Sequence, residues 1–257
     1  YLFYWLLYFA LARLVFLVFH SDKLDTNQHP LQEVVLSFVH GMRMDASMAA
    51  YLSIVPFILY PFISKRFIGK CLNAYHYVVL ALTSLMVVAD LSSYKAWGFR
   101  LDASIMDYMS HPKEALASTL TAPLGWLALI FVVLVSAFGY LYTRWVKEKT
   151  AANIRAVLLL ALPLLILPMR GGWGVAPLNP GSVFFSAHPF LNVLALNASW
   201  NFMHTAAHKK MKKNPFVVCS EKELKVTMDS LTVKSVPAFY LHQKQSPNVI
   251  IVIWESL

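Results

Sequence analysis

Nothing between Ala115 and Thr143 carries a charge. A helix needs about 20 mostly apolar residues to cross about 30 Å of hydrocarbon, and in lipid only a helix or a closed barrel satisfies its own backbone. The apolar centre is flanked by Trp126 on one side and by Tyr140, Tyr142 and Trp145 on the other, as an interfacial aromatic belt requires. This run alone predicts a membrane helix. Composition agrees, because only 14% of the 257 residues are charged and 58% are hydrophobic, against about a quarter charged in soluble domains. Such a chain is neither disordered nor a soluble two-domain enzyme, and two cysteines make no disulfide scaffold. The net charge of +9 would suggest nucleic acid in a soluble protein. Here the positive-inside rule and anionic lipid account for it, so no nucleic-acid partner is expected.

Four further stretches approach the length of a span. Tyr1 to Phe19 is interrupted only by Arg13; Ala46 to Ser64 and Cys71 to Ala89 carry no charge. The fifth span, Ala156 to Met169, contains Pro163 and Pro168 and needs Arg155 to snorkel to the interface. Short loops set the orientation. Lys65, Arg66 and Lys70 lie between spans two and three, and Arg144, Lys147, Lys149 and Arg155 face a single Glu148 between spans four and five. The other two loops balance their charges. The basic loops are therefore expected inside, with the amino terminus inside and everything after span five outside a cytoplasmic membrane. Cys71 and Cys219 then lie on opposite sides and cannot pair.

After Arg170 the character changes. Gly171-Gly172-Trp173-Gly174, Pro177 and Asn179-Pro180-Gly181 predict an ordered, turn-rich loop. Asn192 to His204 is apolar and aromatic and leads to Lys209, Lys210, Lys212 and Lys213, which suggests a helix lying in the outer interface or, equally, a solvated linker. Ser220 to Leu231 is helical in character, with Glu221 and Glu223 suited to a first turn. The run Asn248 to Trp254, opened by Pro247, is apolar without alternation and rich in β-branched residues, as in a central parallel strand. One strand needs neighbours, and the chain starts at Tyr1 rather than methionine. A segment of a longer protein is therefore expected, continuing into an extracytoplasmic α/β domain. Ligands of such sheets sit beyond the carboxyl ends of strands, where Glu255 and Ser256 fall.

At Glu255-Ser256 the sequence resembles the lipoteichoic acid synthase family of membrane phosphoglycerol transferases, relatives of sulfatases and alkaline phosphatases. The segment Arg170 to Gly174 with Asn179-Pro180, and Gly98 to Asp102, look like the Bacteroidetes-type branch. The resemblance implies a bundle of five transmembrane helices over 1–170, an extracytoplasmic linker with an interfacial helix over 171–246, and over 247–257 the first strand of a truncated sulfatase-like α/β domain. It implies that Glu255 is a ligand of a divalent cation, Mn2+ or Mg2+, apt because hard cations take carboxylate oxygen. The family's threonine nucleophile and Asp-His pair have no matching position, so this segment alone is expected to be inactive. The implied reaction moves a phosphoglycerol group from a phosphatidylglycerol-like donor to an unidentified acceptor. Phosphoethanolamine transfer, sulfatase-like hydrolysis, and a non-catalytic anchor or sensor are the alternatives. A transporter is disfavoured by five rather than paired spans.

The remaining polar residues are weaker signals. Arg13 and Arg100 are candidates for a lipid phosphate, since guanidinium binds it bidentately, although internal ion pairs explain them more simply. With Asp90 and Asp102 they are expected near the outer leaflet, and Asp45 is expected to cap span two. His204 and His208 share a helix face, but Thr205 stands where a zinc protease carries glutamate. Asn197-Ala198-Ser199 is an idle glycosylation sequon, and Ser256 is a strand-end cap rather than a nucleophile.

Overall fold

The computed structural model describes residues 1–24, 31–60, 66–108, 123–147, 161–174, 176–209 and 220–231. The chain divides into two compact units, Tyr1–Lys209 and Lys210–Leu257. The described residues are predominantly helical and contain no strand. Four helices are long and apolar enough to cross a membrane. These are α1 (Leu2–Phe19), α2 (Leu31–Leu59), α3 (Arg66–Trp97) and α4 (Leu124–Leu141), the last extended by π-helical turns over Tyr142–Lys147.

Two boundaries differ from the sequence expectation for physical reasons. Span two does not start at a cap on Asp45. The helix begins at Leu31 and runs through Asp45, because Arg13 of α1 neutralises the carboxylate in place, 2.6 Å away. Pro56 lies inside α2 without ending it. Its missing N–H frees the carbonyl of Leu52, four residues back, and the Tyr75 hydroxyl of α3 donates to that oxygen at 3.0 Å. Helix α3 ends at Gly98, whose φ of 75° permits the left-handed turn and whose N–H returns to Tyr94 O at 2.9 Å.

The bundle core is aromatic. Tyr4, Trp5, Tyr8 and Phe138 are buried together, with edge-to-face ring pairs such as Tyr8–Phe138 at 4.9 Å. Most polar atoms there bond in a chain, while Trp5 Nε1 is buried without a partner among the described residues. The Tyr4 hydroxyl donates to Phe138 O at 3.0 Å, so it accepts from His76 Nε2 at 3.1 Å, which leaves His76 Nδ1 to accept from Tyr1 at 3.3 Å. The Tyr8 hydroxyl pairs with Ser84 at 2.9 Å.

The expected fifth span lies partly outside the described residues. Its described part is a 3₁₀ turn at Pro163–Leu165 followed by α5 (Ile166–Arg170), a five-residue helix closed by Gly171 at φ 84°. A Cβ on Gly171 would lie 2.9 Å from the Leu178 side chain, so the turn that follows is packed. Residues 176–209, expected as linker, belong to the first compact unit. They form a 3₁₀ turn with an Asn179–Ser182 capping box, then α6 (Pro189–Ala195) and α7 (Ala198–His208).

The stretch Asn192–His204, expected as one helix, is broken at Leu196-Asn197, and Leu194, Ala195, Ala198 and Trp200 are buried within the protein. Helix α2 is the spine for this cap. Arg43 donates to Gly171 O and Ser182 O, Ser47 Oγ to Met169 O, and Ser186 Oγ to Glu33.

The second unit contains α8 (Glu221–Leu231). Ser220 and Glu223 form a reciprocal capping box, with Ser220 N donating to Glu223 Oε2 at 2.8 Å and Glu223 N to Ser220 Oγ at 3.3 Å. Donation to the carboxylate from Ser220 N and from Ser220 Oγ, the latter at 2.9 Å, holds the Glu223 carboxyl below its usual range. The predicted strand Asn248–Trp254, Glu255, Ser256, Cys219 and the lysines at 210, 212 and 213 lie outside the described residues.

Candidate functional site

Four of the chain's charges converge on one place although they come from four segments. Arg13 of α1 meets Asp45 of α2 in a bidentate pair, Nη1 to Oδ2 at 2.6 Å and Nη2 to Oδ1 at 2.9 Å. Arg100, three residues past α3, meets Asp90 within α3 at 2.9 Å. The side chains of all four are at most 5% exposed. An unpaired charge in such a setting is prohibitively costly, and a paired one persists only if its remaining hydrogen-bonding atoms are satisfied.

The geometry meets that condition with the end of a helix. Helix α6 stops at Ala195; Leu196 N returns to Val193 O at 3.1 Å, and the carbonyls of Leu194 and Ala195 are left without intrahelical donors. Arg100 Nη1 donates to Val193 O at 3.0 Å, Arg13 Nε to Leu194 O at 3.0 Å, and Arg13 Nη2 to Ala195 O at 3.2 Å. Two cations thus cap one helix C-terminus, where the backbone dipole favours positive charge.

Asn197 closes the arrangement. Its Oδ1 accepts from Trp200 N at 3.0 Å to cap α7, and its Nδ2 donates to Asp45 Oδ1 at 2.8 Å. On the other pair, Leu101 N donates to Asp90 Oδ1 at 2.7 Å, and Asn201 Nδ2 to Leu101 O at 2.9 Å. The Arg100 guanidinium also lies 4.0 Å above the Phe16 ring. Burial pushes the Arg100 pKa down, while Asp90 opposes the shift; guanidinium stays charged throughout.

Close approach depends on Gly41. A Cβ there would fall on the Arg13 guanidinium and 2.7 Å from Ala195 O. A cavity of about 20 Å³ remains among Arg13, Asp45, Asp90, Arg100 and Ser199, about enough for one water. Ser199 Oγ is buried without a partner among the described residues.

Chemically this is a clamp. Every ionised group is committed to another, and it ties α1, α2, α3 and the α6–α7 cap into one body. Arg13 and Arg100, expected as headgroup candidates, line the same cavity but spend their donors internally. Asp102 does not join them and instead holds Ser104 at the start of the one-turn helix Ile105–Tyr108. Asp45, Asn197, Asn201 and Gly41 are the members that sequence reasoning assigned elsewhere or passed over. Their signal was present as an acid, a glycine and two amides inside apolar helical text.

His204 and His208 do share a face of α7, with ring centroids 4.3 Å apart. Among the described residues no group of three or more His, Cys, Asp or Glu side chains could hold a metal ion, and Glu255 lies outside them. Comparison of the chain with protein-family models, with curated proteins and with solved structures gave no match.

Proposed function

We propose that residues 1–209 are the membrane platform of a metal-dependent phosphoglycerol transferase of the lipoteichoic acid synthase type. It would act on lipid headgroups at the outer face of the cytoplasmic membrane. The observation that supports a platform is the double Arg–Asp clamp, which fixes residues 189–208 to three helices of span length. A segment held this firmly suits a base for chemistry carried out beyond it. The transfer chemistry itself rests on the resemblance of the apolar run Asn248–Trp254 and Glu255-Ser256. In that reading Glu255 would supply carboxylate oxygen to Mn2+ or Mg2+, which would provide electrostatic stabilisation for the transferred phosphoryl group. The phosphoglycerol group passes to an acceptor hydroxyl and diacylglycerol is released. Five spans, the fifth over Ala156 to Met169, and outward placement of residues after 170 belong to the same proposal.

The test uses the full natural protein in phosphatidylglycerol vesicles, with diacylglycerol release as readout. Mn2+-dependent release that falls about tenfold or more in Glu255→Ala supports the reading. Release that is unaffected by Glu255→Ala removes Glu255 as a ligand. Release from phosphatidylethanolamine vesicles alone selects phosphoethanolamine transfer, and release from neither favours the anchor or sensor.

A further inference from the structure

Helix α7 has two faces with different fates. Asn201 and Thr205 are spent on the backbone of residues 101–103, Asn201 on Leu101 O and Thr205 Oγ1 accepting from Ala103 N at 2.9 Å. The opposite stripe, at positions 200, 203, 204, 207 and 208, follows the spacing of a helix face that expects cover. It borders a groove of about 460 Å³ whose other wall is Met48, Tyr51 and Leu52 of α2. The groove is largely apolar and its walls are incompletely covered, with Tyr51 50% and Met203 53% exposed. Trp200 presents only its ring, because its Nε1 donates to Ser47 Oγ at 3.0 Å.

We infer that this groove binds one acyl chain of a membrane phospholipid, with the phosphate of the headgroup at His208. Two observations select that occupant. One wall belongs to a helix of span length, so the medium against it is hydrocarbon chain. The described lining contains no acid and two imidazoles, which suits an anionic headgroup. The imidazoles differ in role. His204 is stacked between Trp200, at 4.7 Å, and His208, at 4.3 Å; burial, with His208 beside it, pushes its pKa down. His208 is exposed. Its Nδ1–H donates to His204 O at 2.8 Å, so Nε2 donates to a phosphate oxygen only when the ring carries its second proton, as an imidazolium. Lys209, paired with Asp107 at 2.6 Å and bonded to Ala103 O, anchors the end of the helix beside it. The volume lies within the range of sites that bury small amphiphiles. The inference goes beyond transfer chemistry and requires only that α2 stands in lipid.

The test titrates the full-length protein in detergent with phosphatidylglycerol and, separately, with phosphatidylcholine, counting bound lipids by native mass spectrometry. One saturable phosphatidylglycerol is expected on the wild type. Ala207 is exposed, so Ala207→Trp fills the groove rather than the core. It should weaken both lipids about tenfold or more. His208→Ala should weaken phosphatidylglycerol about tenfold and leave phosphatidylcholine unchanged. If Ala207→Trp lowers Tm, Ala207→Leu takes its place, with the same direction expected. Unchanged binding in a correctly folded groove variant overturns the site, and unchanged phosphatidylglycerol preference in His208→Ala overturns the headgroup assignment. Because lipid is counted without turnover, a protein that binds lipid but releases no diacylglycerol refutes only the transferase proposal.

Discussion

Removing Arg13 is the sharpest perturbation of the clamp. In Arg13→Met the side chain still fills most of its volume, but four donor contacts disappear, two to Asp45 and one each to Leu194 O and Ala195 O. Asp45 would keep only Asn197 Nδ2, at 2.8 Å. Breaking a buried pair by deleting one partner costs about 3–5 kcal/mol, because the surviving charge stays buried. The double variant Arg13→Met/Asp45→Leu removes that stranded charge and should recover part of the loss. It should not recover all of it, since each carbonyl of Leu194 and Ala195 left without a donor costs about 1–3 kcal/mol. Equilibrium unfolding in mixed micelles across the four proteins of the cycle measures both values. The expected coupling between the two residues is favourable by at least about 1 kcal/mol. A single variant within about 0.5 kcal/mol of wild type would show that the clamp does not hold the cap, and the reasoning would fail.

Three further outcomes follow from other parts of the fold. Gly41→Ala should destabilise by about 1–3 kcal/mol, as overpacking does, because its Cβ collides with the Arg13 guanidinium and the Ala195 carbonyl; an unchanged Tm would contradict the close approach. Tyr75→Phe should cost about 1 kcal/mol in the wild type and close to nothing in a Pro56→Ala background, where an alanine N–H can return to Leu52 O; equal losses in both backgrounds would show that the Tyr75 bond does not compensate for the proline. The third concerns pH. Burial lowers the pKa of His20 and of His204 in the folded chain, and an unfolded histidine titrates near 6.5. The unfolded state therefore binds the proton first, so their contribution is complete above about pH 6.5 and shrinks as pH falls below it. Tm should drop between pH 7 and pH 5, and His20→Phe, set among Phe16, Phe19 and Tyr94, should reduce that drop. A drop of unchanged size would remove His20 from the explanation.

Much of the bundle was legible because a long uncharged run has few structures open to it: α3 contains the run expected as span three, and α1 and α4 lie within the runs expected as spans one and four. The misread boundary at Asp45 has one cause. An acid at the edge of an apolar run resembles a cap, and only the tertiary partner Arg13, 32 positions away in sequence, reveals that the helix continues through it. The same blindness affected residues 189–208. Their aromatic, lysine-tailed text matches an interfacial helix, but Asn197 uses both arms of its amide at once, capping α7 and holding Asp45, and this breaks the helix and turns Trp200 inward. Arg13 and Arg100 were recognisable as unusual from the sequence. Their common target, the last carbonyls of a seven-residue helix, was not, because helix ends that meet distant side chains leave no periodic trace.

The account depends first on the helices crossing a membrane in the stated direction, and labelling tests this most directly. Asp22 and Lys70 are both exposed and should lie on opposite sides, after span one and at the start of span three. In a background with Cys71→Ser and Cys219→Ser, a membrane-impermeant maleimide should modify Asp22→Cys in intact cells. It should reach Lys70→Cys only after permeabilisation. Both sites labelled from outside, or the reverse order, would contradict the orientation and with it the placement of the clamped cap at the outer face.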